Sequence, residues 1–131
     1  MSLIYIIEDD EFMSRLYERM FREGGYEIKI IPEANEVFVE LSGAGERPAL
    51  ILCDIMMPDV SGFDVLKHLK QDPALKDIPV VMWTNLGGKE EAEKARALGA
   101  DDYLVKSDYG PKETLAKVDQ ILAAKRAAPA A

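Results

Sequence analysis

The chain is poor in cysteine and has no cluster of positive charge. Its single cysteine, Cys53, cannot form a disulfide within the chain, which agrees with a reducing compartment and predicts a cytoplasmic location. Acidic residues outnumber basic ones by 24 to 16 over 131 residues, so we expect no direct binding to nucleic acid. No apolar run approaches membrane-spanning length and the start lacks the basic segment of a signal peptide, so we expect no membrane partner.

Five short apolar runs alternate with amphipathic segments along the chain. The runs are Leu3–Ile7, Tyr26–Ile31, Ala49–Cys53, Pro79–Trp83 and Tyr103–Val105. Most are almost continuously apolar and rich in Ile and Val, as strands of a covered parallel sheet are. The second run carries Glu27 and Lys29 in alternation with apolar residues, which predicts a more exposed edge strand.

The intervening segments have the apolar spacing of helices, and helix stop or start signals bound them. The first is predicted to end at Gly24-Gly25, the second near Gly43, the third at Asp72-Pro73 and the fourth at Gly99, while the fifth begins at Gly110-Pro111. Five β-α units predict an α/β fold with a doubly wound parallel sheet and helices on both faces. We expect one domain over residues 1–126 and a disordered tail over residues 127–131.

Polar side chains follow four of the five predicted strands. They are Glu8, Asp9 and Asp10 after the first, Asp54 after the third, Thr84 at the end of the fourth and Lys106 after the fifth. Ligands bind outside the carboxyl ends of the strands in open α/β sheets, so these side chains are expected to share one crevice. Hard carboxylate oxygens suit Mg²⁺, and a lysine and a hydroxyl beside a metal suit a phosphoryl group. Taken alone, the first three acids are better interpreted as helix-start residues favoured by the helix dipole.

Four motifs together resemble the receiver domains of two-component response regulators. They are "IIEDD", "CDIMMPDVSG", "MWT" and "DDYLVK", with Pro58 and Gly62 at the family's offsets from Asp54. The resemblance covers about Leu3 to Leu122. It implies the sheet order 2-1-3-4-5, counting strands along the chain.

The resemblance also implies roles for individual residues. Asp54 would be the phosphoacceptor that takes a phosphoryl group from a sensor histidine kinase or a phosphotransfer protein. Glu8, Asp9, Asp54 and the backbone carbonyl of Met56 would hold Mg²⁺. Asp10 lies one position past the acid pair and is expected to cap the first helix.

The remaining motif residues would form the phosphoryl pocket and the switch. The resemblance implies that Lys106, the Thr84 hydroxyl and the Asn85 backbone amide share the charge of the phosphoryl oxygens. Tyr103 would turn inward as Thr84 moves, altering the face made by the fourth helix, fifth strand and fifth helix. An output protein would bind that face, and a phosphorylation-dependent homodimer is one form that this output could take.

Two positions lead to expectations about geometry and signal lifetime. Ser107 stands where the family usually has a cis proline after its lysine. A cis bond before a residue other than proline costs about 3 kcal/mol, so we expect a trans Lys106–Ser107 peptide. The resemblance implies that Met56 and Leu86 flank the path of the hydrolytic water, and because their side chains are apolar we expect slow loss of the phosphoryl group.

Other function classes fit the sequence less well. A phosphohydrolase of the haloacid-dehalogenase type needs a second acid two residues after its nucleophile, where this chain has Met56. A degenerate receiver that binds partners without phosphate would not need the full set of pocket residues. A flavin-binding module would need a Ser/Thr-rich phosphate loop after the first strand. We therefore expect no enzyme activity beyond phosphorylation and dephosphorylation of Asp54 itself.

Overall fold

The computed structural model describes residues 2–42, 46–85 and 87–127. Strands and helices alternate strictly through these residues. Their bounds are β1 Leu3–Ile7, α1 Glu11–Glu23, β2 Glu27–Ile31, α2 Glu36–Ser42, β3 Leu50–Cys53, α3 Gly62–Gln71, β4 Val80–Thr84, α4 Lys89–Ala97, β5 Asp102–Val105 and α5 Pro111–Ala127.

The strands form one parallel sheet in the order β2-β1-β3-β4-β5. This confirms the predicted fold class and strand order, and it puts β2 at an edge as its alternating pattern predicted. The order reverses at β1, which pairs with both β2 and β3. The carboxyl ends of β1 and β3 therefore open into the crevice where such folds bind ligands.

Alternate strand residues supply two apolar clusters, one on each face of the sheet. Tyr5 and Ile7 of β1 belong to a first cluster with residues of α2, α3 and α4, whereas Ile4 and Ile6 belong to a second with residues of α1 and α5. The side chains of β3 and β4 are buried throughout. The sheet is covered on both faces, which explains why its central strands are almost continuously apolar.

A polar side chain marks the start of α1. Asp10 caps α1, since its Oδ1 accepts a hydrogen bond of 3.1 Å from the backbone N–H of Met13, which confirms its predicted role. The Lys106–Ser107 peptide is trans, as predicted, and no peptide bond between described residues is cis.

Some sequence predictions lie outside the described residues. Gly43, the predicted stop of α2, is one of these, as are residues 128–131 of the predicted tail. The division into a domain over residues 1–126 and a tail stays a prediction. Within the described part of the chain, none of the helices combines the length and apolar character that a membrane span requires.

Candidate functional site

The polar residues that follow the strands are fixed by the sheet's own hydrogen bonds. The N–H of Glu8 donates to the carbonyl of Ile31 on β2 at 3.1 Å, and the N–H of Asp54 donates to the carbonyl of Ile7 on β1 at 3.0 Å. On the other side, the N–H of Lys106 donates to the carbonyl of Thr84 at 2.6 Å. Backbone pairing therefore continues one residue past the strands and brings these side chains to one edge.

An open cavity of about 510 Å³ lies at this edge. Its lining residues are Glu8, Asp9, Asp10, Met13, Asp54, Met56, Asn85, Lys106 and Ser107. All but Met13 of α1 follow one of four strands, β1, β3, β4 or β5, so the cavity exists only in the folded chain. The sequence prediction of one shared crevice is confirmed for the acids and the lysine.

The Lys106 ammonium is the positive centre of the cavity. Its Nζ lies 3.2 and 3.1 Å from the two carboxylate oxygens of Glu8 and 3.7 Å from Oδ2 of Asp54. The side chains of Lys106, Glu8 and Asp54 are 7%, 2% and 6% exposed. A charge buried this far from water is costly unless a group of opposite charge lies close to it. Here Lys106 serves as that partner for two buried carboxylates.

The surroundings favour the protonated form of Glu8. Burial, with the neighbouring Asp54 carboxylate adding and Lys106 opposing, raises its pKa to about 8. The site thus holds more carboxylates than its single lysine neutralises. A further cation would remove this imbalance.

Three carboxylates are close enough together to share such a cation. One oxygen each from Glu8, Asp9 and Asp54 lies within 4.8 Å of the other two. Glu8 and Asp54 are buried, whereas Asp9 is exposed at the cavity mouth. Oxygen donors with an open side toward solvent fit Mg²⁺, which keeps several waters when bound to protein.

The loop that follows Asp54 holds its carboxylate in place. The backbone N–H of Met56 donates to its Oδ1 at 3.3 Å, while the Met56 side chain is 61% exposed. Gly62, the first residue of α3, packs against the backbone of Asp54 and Ile55. The side chain of Cys53, just before Asp54, is buried, and burial raises the pKa of its thiol, as expected of a packing residue.

The predicted switch residues lie at the ends of β4 and β5. Thr84 is fully buried at the end of β4, and Asn85 follows it at the cavity edge. Tyr103 is buried in the first cluster, away from the cavity, and burial, with Glu91 adding, raises its pKa. Leu86, predicted to flank the water path, lies outside the described residues.

A contact between Trp83 and Lys106 was not predicted from the sequence. The Lys106 Nζ lies 4.1 Å from the centre of a Trp83 ring. The strand register explains the contact, but it is not determined by the sequence alone. Trp83 pairs with Leu104, so Trp83, Leu104 and Lys106 belong to the same face of the sheet.

The comparisons with known proteins agree with this geometry. A family model described as the response regulator receiver domain matches residues 4–119. The chain belongs to the response regulator receiver domain family. The match begins in β1 and ends in α5, so it reaches every strand of this receiver domain and includes every residue of the candidate site.

Relatives and solved structures of the same family cover almost the whole chain. The phosphate regulon transcriptional regulatory protein PhoB of Rhizobium meliloti is 35% identical over 96% of this chain. The receiver domain spans about half of that relative's length, 53%. The Mn²⁺-bound form of response regulator Rcp1 is 30% identical, with a TM-score of 0.78 over 92% of this chain and 91% of that one. The phosphorylated cyanobacterial phytochrome response regulator RcpA is 27% identical, with a TM-score of 0.75 over 92% and 88%.

Proposed function

We propose that this receiver domain is a phosphorylation-dependent signalling switch whose phosphoacceptor is Asp54. The donor would be a sensor histidine kinase or a phosphotransfer protein, the partners that membership of the family implies. The observation that carries the proposal is the position of Asp54, a buried carboxylate on an open acidic cavity with a lysine ammonium 3.7 Å from its Oδ2. The phosphorylated state of RcpA supports it by likeness.

The proposed reaction moves one phosphoryl group between two side chains. A carboxylate oxygen of Asp54 attacks the phosphorus of the donor's phosphohistidine, and a P–O bond forms as the P–N bond breaks. The electron pair of that bond stays on the imidazole nitrogen, which takes up a proton. Lys106 lies where its ammonium can turn from Glu8 to a phosphoryl oxygen and offset the charge brought by the phosphate.

The groups that would hold Mg²⁺ are Glu8, Asp9, Asp54 and the backbone carbonyl of Met56. The close approach of the three carboxylates supports this set, as does the Mn²⁺-bound form of the related Rcp1. When bound there, Mg²⁺ supplies positive charge that offsets both the carboxylates and the phosphoryl oxygens. The chain's own contribution is to hold its oxygen donors close together before the ion arrives.

Phosphorylation would change the surface of the domain through three groups, which are Thr84, the Asn85 backbone amide and Tyr103. Met82 pairs with Tyr103 and Thr84 with Val105, so Thr84 and Tyr103 share one face of the sheet as diagonal neighbours. A shift of Thr84 toward the phosphoryl group would alter the packing of Tyr103 and hence the face of α4, β5 and α5. An output protein, or a second copy of the chain, would bind to the altered face in the cytoplasm.

Two alternatives have less support. A haloacid-dehalogenase-like phosphohydrolase would need a general acid at position 56, where the apolar Met56 extends into solvent. A degenerate receiver would not need Asp54, Lys106 and the acid pair in one cavity. We propose no enzyme activity beyond turnover of the phosphoryl group on Asp54.

The proposal is tested by incubating the protein with Mg²⁺ and acetyl phosphate and recording the intact mass. We expect the native chain to gain one phosphoryl group, and we expect no gain with chelator or in the Asp54→Asn variant. Asp59→Asn is the matched control, since Asp59 lies in the same loop but accepts from the backbone N–H of Asn35 and does not line the cavity. An unchanged native mass, with a known receiver labelled in parallel, would overturn the proposal.

A further inference from the structure

Trp83 is the only tryptophan of the chain and is fully buried beneath the phosphoryl site. The centre of one of its rings lies 4.1 Å from the Lys106 Nζ. Tyr17 of α1 packs against it, with ring centres 4.4 Å apart and planes tilted by 55°. The indole is thus held between α1 and the sheet, directly below the ammonium that serves the cavity.

The indole N–H plays no part in holding this ring. Among the described residues it has no hydrogen-bond acceptor, although it is fully buried. A purely apolar side chain at this position would avoid the cost of burying that group unpaired. The advantage of tryptophan is that its ring face binds cations more strongly than that of any other aromatic side chain.

A ring face binds an ammonium differently from a carboxylate. The attraction depends on the distance to the ring and uses none of the three N–H donors in a directed hydrogen bond. The Lys106 donors can therefore leave Glu8 and turn to a phosphoryl oxygen while the ring contact persists. Glu8 alone would not hold the ammonium during that exchange, because it is the partner being left.

We propose that Trp83 is a positioning residue for phosphoryl transfer, whose ring keeps the Lys106 ammonium at the cavity while its hydrogen bonds pass from Glu8 to the phosphoryl group. This rests on the proposed function of the same site. It assigns a role in the reaction to a residue that touches neither the donor nor the reacting atoms. Tyr17 then links α1 to the same task, since it fixes the ring that Lys106 contacts.

The alternative is that Trp83 only fills the core, and matched variants separate the two roles. Trp83→Leu removes the aromatic face, and Trp83→Phe keeps one of reduced size. Phe21→Leu is the control, since Phe21 is also fully buried in the second cluster and contacts the Tyr17 ring at 6.2 Å between centres. Trp83→Met replaces Trp83→Leu if the latter does not fold, since Met fills irregular gaps well.

The first measurement is the rate of phosphorylation against acetyl phosphate concentration at saturating Mg²⁺. Loss of a desolvated cation–π contact predicts a maximal rate about tenfold lower in Trp83→Leu. The half-saturating donor concentration should change less, because the ammonium acts on charge that grows in the transition state. Trp83→Phe should recover most of the rate, and Phe21→Leu should match the native protein. Equal rates in Trp83→Leu and Phe21→Leu, or no recovery in Trp83→Phe, would overturn the proposal.

The second measurement does not depend on phosphorylation. In protein labelled with carbon-13 at the lysine ε position, the Lys106 signal should lie upfield of that of Lys125, whose side chain is 51% exposed. It should return toward the Lys125 position in Trp83→Leu and stay upfield in Phe21→Leu. A native Lys106 signal at the position of the Lys125 signal would contradict the contact between Lys106 and Trp83, and with it the proposal. A native protein that takes up no phosphoryl group would instead overturn the proposed function, whatever the variants do.

Discussion

At the scale of single residues, the site is a charge balance around Lys106. Its ammonium contacts Glu8 closely and Asp54 more loosely, and it lies over Trp83. Three carboxylates against one ammonium leave the cavity short of positive charge. Burial, with the Asp54 carboxylate adding, raises the pKa of Glu8, and the excess of carboxylates makes the cavity attractive to a divalent cation.

The raised pKa of Glu8 predicts a pH dependence of stability in metal-free buffer. Its pKa rises from an ordinary 4.5 to about 8, first because of burial, so the folded state keeps a proton that the unfolded state has lost. Stability falls with pH wherever the folded state binds more protons. The free energy of unfolding should therefore fall by on the order of 2 kcal/mol between about pH 5 and pH 8. Urea unfolding across this range measures it.

Glu8→Gln should flatten this dependence, because the amide does not titrate. Glu27→Gln is the control, since Glu27 is an exposed acid on the edge strand β2. It should leave the slope of the native protein unchanged. A slope that is the same in Glu8→Gln as in the native protein would assign the pH dependence to other groups.

Neighbouring acids are predicted to differ in their importance for the metal. Asp9 belongs to the group of three close carboxylates, whereas Asp10 uses its side chain to cap α1. We expect Asp9→Ala to weaken Mg²⁺ binding by about tenfold or more, a loss typical of groups on which a metal site depends. Asp10→Ala should lower helix stability by about 1 kcal/mol and bind Mg²⁺ almost as the native protein does. Calorimetric titration of both variants distinguishes them, and equal losses would contradict the assignment.

At the scale of elements, the sequence determined the strands and helices well. Apolar runs predicted each strand to within one residue at either end, because a sheet covered on both faces needs such runs. The cavity was also predictable, since parallel strands end at one edge. Contacts between side chains on different strands were not, because they depend on register. The sequence alone did not fix the pairing of Trp83 with Leu104 that brings Trp83 under Lys106.

The junction of β3 and α3 depends on a glycine for a steric reason. A Cβ at Gly62 would lie 2.2 Å from the Asp54 carbonyl oxygen and 2.7 Å from Cα of Ile55. Both neighbours are backbone atoms and cannot move aside easily. Gly62→Ala should therefore lower the free energy of unfolding by about 2–3 kcal/mol, as overpacking does, and should slow phosphorylation by displacing Asp54.

Gly87→Ala is the matched control for this substitution. A Cβ there would meet only Val105 Cγ1 at 4.0 Å, an ordinary contact. Urea unfolding and the acetyl phosphate assay compare the two variants. If Gly62→Ala is as stable and as reactive as Gly87→Ala, the close approach does not constrain the site.

At the scale of the whole molecule, the site joins the two layers of the fold. Lys106 rests on Trp83, which belongs to the second cluster with Tyr17 of α1. Tyr103, the predicted switch residue, belongs to the first cluster, which includes α4 through Ala95. A phosphoryl group on Asp54 would therefore act on the second cluster through Lys106 and on the first cluster through Thr84 and Tyr103.

The helices α1 and α4 differ in how firmly they are held against the sheet. α1 has a side-chain cap and buries Ser14, Tyr17 and Phe21. α4 begins after Gly88 without a side-chain cap, and only Ala95 is fully buried. Helices with few buried contacts unfold locally at a low cost in free energy, and the elements that move in conformational switches are usually of this kind. The response to phosphorylation should therefore be concentrated in α4.

Hydrogen exchange with and without phosphorylation tests this expectation. Amides of α4 should change in protection when the native protein is phosphorylated, because Thr84 and Asn85 lie just before that helix in the chain and would move with the phosphoryl group. Amides of α1 should change little, because Tyr17 and Trp83 hold that side of the sheet. Asp54→Asn in the same buffer controls for the effects of Mg²⁺ and acetyl phosphate. A change in α1 that equals or exceeds that in α4 would mean that the signal leaves the site through the aromatic layer instead.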